Sequence, residues 1–130
     1  MAQRYLLDTS VCIDILRGRV PESGLPVAGA CCLSAIVTAE LRTGLAKMGA
    51  DQARTRKLED FISLFPVHAF DDAAAQHYGE IRSEPEKRGV AIGPMDVLIA
   101  AHARSLSASL VTGNTREFRR VKGLAIRPWR

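Results

Sequence analysis

The sequence predicts an α/β fold, a mainly parallel sheet of short strands flanked by helices. Apolar runs long enough for buried strands and too short for buried helices recur at residues 5–7, 30–33, 66–70, 110–112 and 124–126. Between them lie segments with apolar residues at helical spacing. Strand and helix therefore alternate, an order that right-handed crossovers turn into a parallel sheet covered on its faces. A length of 130 residues reads as one domain, 1–130, able to bury a real core.

The first run ends at Asp8-Thr9-Ser10, after which Val11, Ile13, Ile15 and Leu16 resume an apolar pattern on a helix. Asp8 thus stands at the carboxyl end of a strand, where α/β folds bind ligands. Three capping residue types in a row exceed what one helix needs. Residues 18–29, with Pro21, Gly24 and Pro26, form a connection to the second strand. A helix over about 35–48 follows, with Ile36, Val37, Leu41, Gly44, Leu45 and Met48 on one stripe. Glu40 falls on or beside that stripe, either as an edge residue paired with Arg42 or Lys47 or as a ligand. A glutamate is rarely buried without compensation.

Asp51 caps the next helix, which runs to about 64 with Leu58, Phe61, Ile62 and Phe65 inward and Arg54, Arg56 and Lys57 forming a solvated face or, as the alternative, part of a polyanion-binding rim. Asp71 and Asp72 open a helix over 73–87 as caps, and Glu80 and Glu84 stand at helical spacing with Arg88 for exposed ion pairing. His68 and His77 have no identifiable partner and receive no chemistry. Residues 89–93 form a loop, and Pro94 suits a helix first turn. The helix from Met95 to Ala103 is apolar nearly all round, which marks it as central, and Asp96 is its one acid. A buried carboxylate there is costly unless a cation or donors compensate, and a cation is the economical explanation. The fourth strand stops at Gly113-Asn114-Thr115, again a polar cluster at a strand's carboxyl end. Glu117 and Phe118 follow on a short helix, with Arg116, Arg119, Arg120 and Lys122 alongside. Residues 124–126 form an edge strand.

No apolar run approaches the roughly 18–20 residues of a membrane span. Residues 1–4 lead directly into the first strand and leave no room for a signal peptide, so a cytoplasmic protein without a membrane partner is expected. The three cysteines include no CxxC pair and indicate neither a disulfide framework nor a structural zinc site. A net charge of +4 permits a polyanionic partner such as RNA or DNA. An aromatic content of 5% argues against stacking on many single-stranded bases, leaving backbone contact and shape to carry recognition.

Asp8 and the polar cluster Thr112-Gly113-Asn114 lie at one edge of such a sheet, and Glu40 and Asp96 are acids that patterning leaves on buried faces. Oxygen ligands of this kind suit Mg²⁺ or Mn²⁺. A metal so held activates water and stabilises charge at phosphorus. An acidic metal centre within a basic protein fits a phosphodiester substrate.

Four stretches carry a more specific resemblance: Tyr5-Leu-Leu-Asp8-Thr-Ser10, Glu40-Leu41, Pro94-Met-Asp96-Val-Leu-Ile-Ala-Ala and Leu110-Val-Thr-Gly-Asn114-Thr-Arg-Glu-Phe118. In this order they resemble the PIN-domain ribonucleases, more narrowly the VapC toxins of bacterial toxin–antitoxin pairs. The resemblance implies a PIN-like three-layer sandwich with a sheet of four to five short strands. It implies a Mg²⁺- or Mn²⁺-dependent endoribonuclease that cuts structured RNA, tRNA above all, and inhibits translation. Asp8, Glu40 and Asp96 match the family's first three acidic positions, which bind the metal. Asn114 matches a fourth that is often Asp, and Glu117 is a candidate for the missing carboxylate. Thr9, Ser10 and Thr112 match polar positions that orient water or phosphate, and Arg116 is grouped with them as substrate-positioning. The family also implies a homodimer and a VapB-type antitoxin whose C-terminal segment covers the site, in a heterotetramer or larger assembly. The alternative is a PIN-like protein that binds RNA without cutting it. A haloacid-dehalogenase phosphatase wants an Asp where Ser10 stands, and a receiver domain wants an acidic pair where Asp8 stands alone.

Overall fold

A computed structural model describes residues 3–22, 24–26, 28–87 and 92–129. The elements in chain order are β1 (Tyr5–Leu7), α1 (Thr9–Leu16), β2 (Cys31–Ser34), α2 (Ala35–Lys47), α3 (Gln52–Ile62), β3 (Val67–His68), α4 (Asp72–Lys87), α5 (Pro94–Ser105), β4 (Ser109–Thr112), α6 (Thr115–Phe118) and β5 (Ile126–Pro128). The strands form one sheet in the order β3-β2-β1-β4-β5, every pair parallel. The expected parallel α/β architecture is present.

The central strands read as unbroken apolar runs because helices cover them on both faces. Leu6, Leu7, Leu110 and Val111 are each 0% exposed. α1, α2 and α3 pack on one another, α4 lies along α5, and α2 also meets α5. α5 is central as its composition requires, burying Val97, Ile99, Ala100, Ala101, His102 and Ala103.

The strand order places the site. From β1 the chain builds outward to β2 and β3, then returns to add β4 and β5 on the other side. β1 and β4 therefore flank the point where the winding reverses, the crevice at which open α/β sheets bind ligands. Leu7 pairs with Val111, and the Asp8 N–H donates to the Val111 carbonyl at 3.0 Å. The ladder thus carries Asp8 to the carboxyl edge beside Thr112.

Several boundaries and contacts differ from the sequence reading. The edge strand covers Ile126–Pro128 rather than 124–126. Its position is set by Trp129, which is 3% exposed and whose indole N–H donates to Asp14 Oδ2 at 2.9 Å. β3 has two residues instead of five, and its Val67 is 43% exposed, an edge strand with little to bury. Met48 leaves the inward stripe of α2, lying at the C-cap and 56% exposed. α3 ends at Ile62, two residues before the exposed Leu64.

Glu80 and Glu84 pair across elements, with Arg104 at 2.6 Å and Lys122 at 3.4 Å; Arg88 lies outside the described residues. His77 has a partner after all, since its Nδ1 accepts from Arg104 Nε at 2.7 Å. Arg104 also donates to the Lys122 carbonyl and so ties α4, α5 and the segment after α6 together. Among the described residues no helix is long and apolar enough to cross a membrane.

Candidate active site

Asp8 follows β1 and is the N-cap of α1, so the capping role and the site role fall on one side chain. It is 6% exposed. Its Oδ1 accepts from the Thr9 N–H at 2.8 Å, and its Oδ2 accepts from the Thr112 hydroxyl at 2.7 Å and the Ser10 hydroxyl at 3.4 Å. Burial pushes the Asp8 carboxyl up from 3.8, and these donors only partly oppose it. Thr112 Oγ1 itself accepts from the Asn114 N–H at 2.9 Å, so its single proton is committed to Asp8.

Glu40 is half-buried one and a half turns into α2, and its Oε1 accepts from the Thr9 hydroxyl at 2.7 Å. Its ion pairing with Arg42 or Lys47 is absent among the described residues; Arg42 pairs with Glu59 instead. Thr9 therefore joins Asp8 and Glu40, giving its backbone N–H to one and its hydroxyl to the other.

Asp96 enters from the first turn of α5, where Pro94 occupies the N-terminal position. Burial, then the charges of Glu117, Asp8 and Glu40, push its carboxyl from 3.8 to about 6. Four acids, one at the β1–α1 junction and one each on α2, α5 and α6, thus share one electrostatic neighbourhood. Among the described residues no Lys or Arg forms an ion pair with any of them. Asn114 and Glu117 are joined directly, the Asn114 amide donating to Glu117 Oε2 at 2.8 Å. Arg116, on the same short helix, is exposed, and among the described residues it forms no ion pair with these acids.

Sequence reasoning missed one buried polar pair close to this group. Ser34 closes β2 and caps α2, its Oγ accepting from the Ile36 N–H at 3.0 Å and lying 2.7 Å from His102 Nδ1. The available signal was that Ser34 ends its strand as Asp8 ends β1, while His102 interrupts an apolar helix.

An apolar groove of about 290 Å³ opens beside Glu40, lined by Ile13, Leu16, Leu41, Leu45, Met48 and Leu58 with Arg17, Arg54 and Lys57 among its rim. Among the described residues no three acidic, His or Cys side chains converge closely enough to chelate a bare ion directly.

Residues 5–124 match the PIN domain family. The chain is 38% identical to the tRNA(fMet)-specific endonuclease VapC of Shigella flexneri, covering 97% of this chain and 98% of that protein. It is 35% identical to Ribonuclease VapC2 of Rickettsia felis over 96% of this chain and 97% of that one. The VapBC2 structure from Rickettsia felis, bound to a DNA fragment from its promoter, superposes with a TM-score of 0.90 at 34% identity, covering 98% of this chain and all of that one. DNA-bound VapBC from Salmonella typhimurium gives 0.83 at 34% identity, covering 99% of this chain and 100% of that one. On both fold and sequence, the chain belongs to the PIN-domain family and, within it, to the VapC ribonucleases of toxin–antitoxin pairs.

Proposed function

We propose that this chain is a Mg²⁺- or Mn²⁺-dependent endoribonuclease toxin whose reaction takes place at Asp8, Glu40, Asp96 and Glu117. One observation carries the reading: at the sheet's switch point burial and the charges of Glu117, Asp8 and Glu40 all oppose ionisation of Asp96, and among the described residues no ion pair to a Lys or Arg offsets them. The donor set fits a hydrated hard cation, which keeps several waters and needs only one or two direct carboxylates. Asp96 and Asp8 would hold the ion, and Glu40 and Glu117 would reach it directly or through its waters. When bound, the ion supplies charge neutralisation at phosphorus and a nucleophilic water at neutral pH.

The chain's own residues hold this geometry. Thr112 and Ser10 aim Asp8, Thr9 couples Asp8 to Glu40, and Asn114 orients Glu117, so the amide that replaces a fourth acid positions the carboxylate that stands in for it. Arg116 and Arg119, exposed on and just after the short helix that carries Glu117, hold the neighbouring phosphates of a structured RNA. Relatives named tRNA(fMet)-specific endonucleases, at 38% and 36% identity, favour initiator tRNA as substrate and arrested translation as the consequence. Solved VapBC complexes support a VapB-type antitoxin as partner. The groove beside Glu40 is the seat for its apolar segment, and a homodimer is the unit it joins.

The test is incubation of antitoxin-free protein with total bacterial RNA in Mg²⁺ or EDTA, followed by end mapping. Discrete metal-dependent cuts, absent in Asp96→Asn, are expected. RNA binding without cleavage would establish the non-catalytic alternative instead.

A further inference from the structure

We infer that Ser34 and His102 are positioning residues that fix the distance between the Glu40 and Asp96 carboxylates. The two side chains are 0% and 1% exposed and lie 2.7 Å apart. Ser34 is the cap of the helix that carries Glu40, and His102 lies on the helix that carries Asp96. Glu40 stands six positions after Ser34, and Asp96 stands six before His102. At 1.5 Å per residue each acid is about 9 Å along its helix from the tie. The helices therefore run in opposite senses past each other, fastened at one end by Ser34–His102 and bringing their acids together at the other.

The fastening has a defined polarity. The His102 ring also bonds the Ala69 backbone, and that bond favours the protonated ring, so the ring donates there to the carbonyl. Donation from the other ring nitrogen leaves Nδ1 to accept the Ser34 hydroxyl proton, which is the tautomer this inference assigns. The Ser34 oxygen keeps its lone pairs for the Ile36 N–H, and no described buried side-chain polar atom is left without a partner. Phe70 packs edge-on against the ring with centroids 5.4 Å apart, and His68 stands 6.5 Å away. These neighbours hold the imidazole in place against Ser34. It touches no acid of the site, so its influence passes through the helices.

This inference rests on the metal-site reading, and the experiment separates the two. Mn²⁺ binding is titrated on wild type, Asp96→Asn, Ser34→Ala, His102→Gln and the Ser34→Ala/His102→Gln double variant, each first shown to be folded by thermal unfolding. Gln keeps an N–H for the Ala69 carbonyl and leaves the α2 cap in place. Each single variant is expected to weaken Mn²⁺ binding about tenfold, and the double variant no further, because both break one link. Wild-type affinity in the folded single variants, or additive losses in the double, would overturn the inference alone. Absence of Mn²⁺ binding in wild type would overturn the metal site and this inference with it. Ring-nitrogen NMR of wild type gives a check that needs no variant: Nδ1 unprotonated is expected, and a protonated Nδ1 would refute the assigned link.

Discussion

Neutralising Asp96 should make the metal-free protein more stable while removing its activity. In the folded chain the Asp96 carboxyl is pushed from 3.8 to about 6 by burial and by Glu117, Asp8 and Glu40. At full strength that displacement corresponds to about 3 kcal/mol. The group is partly exposed, and solvent screening reduces the figure to about 1–2 kcal/mol. The sign follows from proton counts: between pH 3.8 and 6 the folded state binds more protons than the unfolded one, so stability falls as pH rises through that window. The penalty is absent below 3.8 and complete above about 6. Asp96→Asn removes it, and at about 3–5 °C per kcal/mol its Tm at pH 8 should exceed that of wild type by roughly 3–10 °C. At pH 3.5 the two should melt together. Adding Mn²⁺ should raise the wild-type Tm and leave the variant unmoved. Scanning calorimetry in EDTA and in Mn²⁺ at both pH values measures all of this. An Asn variant no more stable than wild type at pH 8 would refute the claim that unpaired carboxylates strain this site.

Thr112→Val removes the donor to Asp8 and the acceptor for the Asn114 N–H. It should cost about 1–3 kcal/mol in urea unfolding at pH 7 and less at pH 3, where Asp8 is neutral; equal losses at both would exclude the charge-linked account. Asn114→Asp places a carboxylate where an amide now donates to Glu117. It should lower the Tm in EDTA and increase the stabilisation by Mn²⁺, and a variant less responsive to Mn²⁺ would argue against a cation beside Glu117. Trp129→Phe keeps an aromatic ring in the core and loses the bond to Asp14. A loss of about 1 kcal/mol is expected, and none would show that β5 is held by burial alone.

The parts of the site legible in the sequence are those whose signal is local. Asp8 stands out because a three-residue strand stops at it, and Asp96 because it is the only acid on an apolar helix. Both signals arise within a few residues, at the scale of strand and helix periods. Glu40 was ambiguous because its partner, the Thr9 hydroxyl, lies 31 residues away and belongs to another element. The same reason hid the Arg104–His77 bond, which spans 27 residues, and the Ser34–His102 link, which spans 68. The shift of β5 has a tertiary origin too: burial of Trp129 outweighs the apolar run Leu124-Ala125-Ile126 in fixing the register. Local pattern located the acids. The donors that hold them come from the fold.

Those donors are unevenly shared, and this decides which acid reports most clearly on the site. Asp8 has both carboxylate oxygens engaged, and Glu40 and Glu117 each have one. Asp96 receives no hydrogen bond among the described residues, although its charge is the most strongly opposed by the other three. Replacing Asp8 by Asn would turn an amide N–H group either toward the Thr9 N–H, which can only donate, or toward the Thr112 hydroxyl, whose oxygen already accepts from the Asn114 N–H, so a loss of activity there mixes a broken network with a missing charge. Asp96→Asn removes a charge and, among the described residues, disturbs no hydrogen bond to that carboxylate. If Asp96→Asn gains stability while Asp8→Asn loses it, the two acids are separated by support as well as by position. Equal behaviour would mean that the donors around Asp8 contribute nothing to holding it.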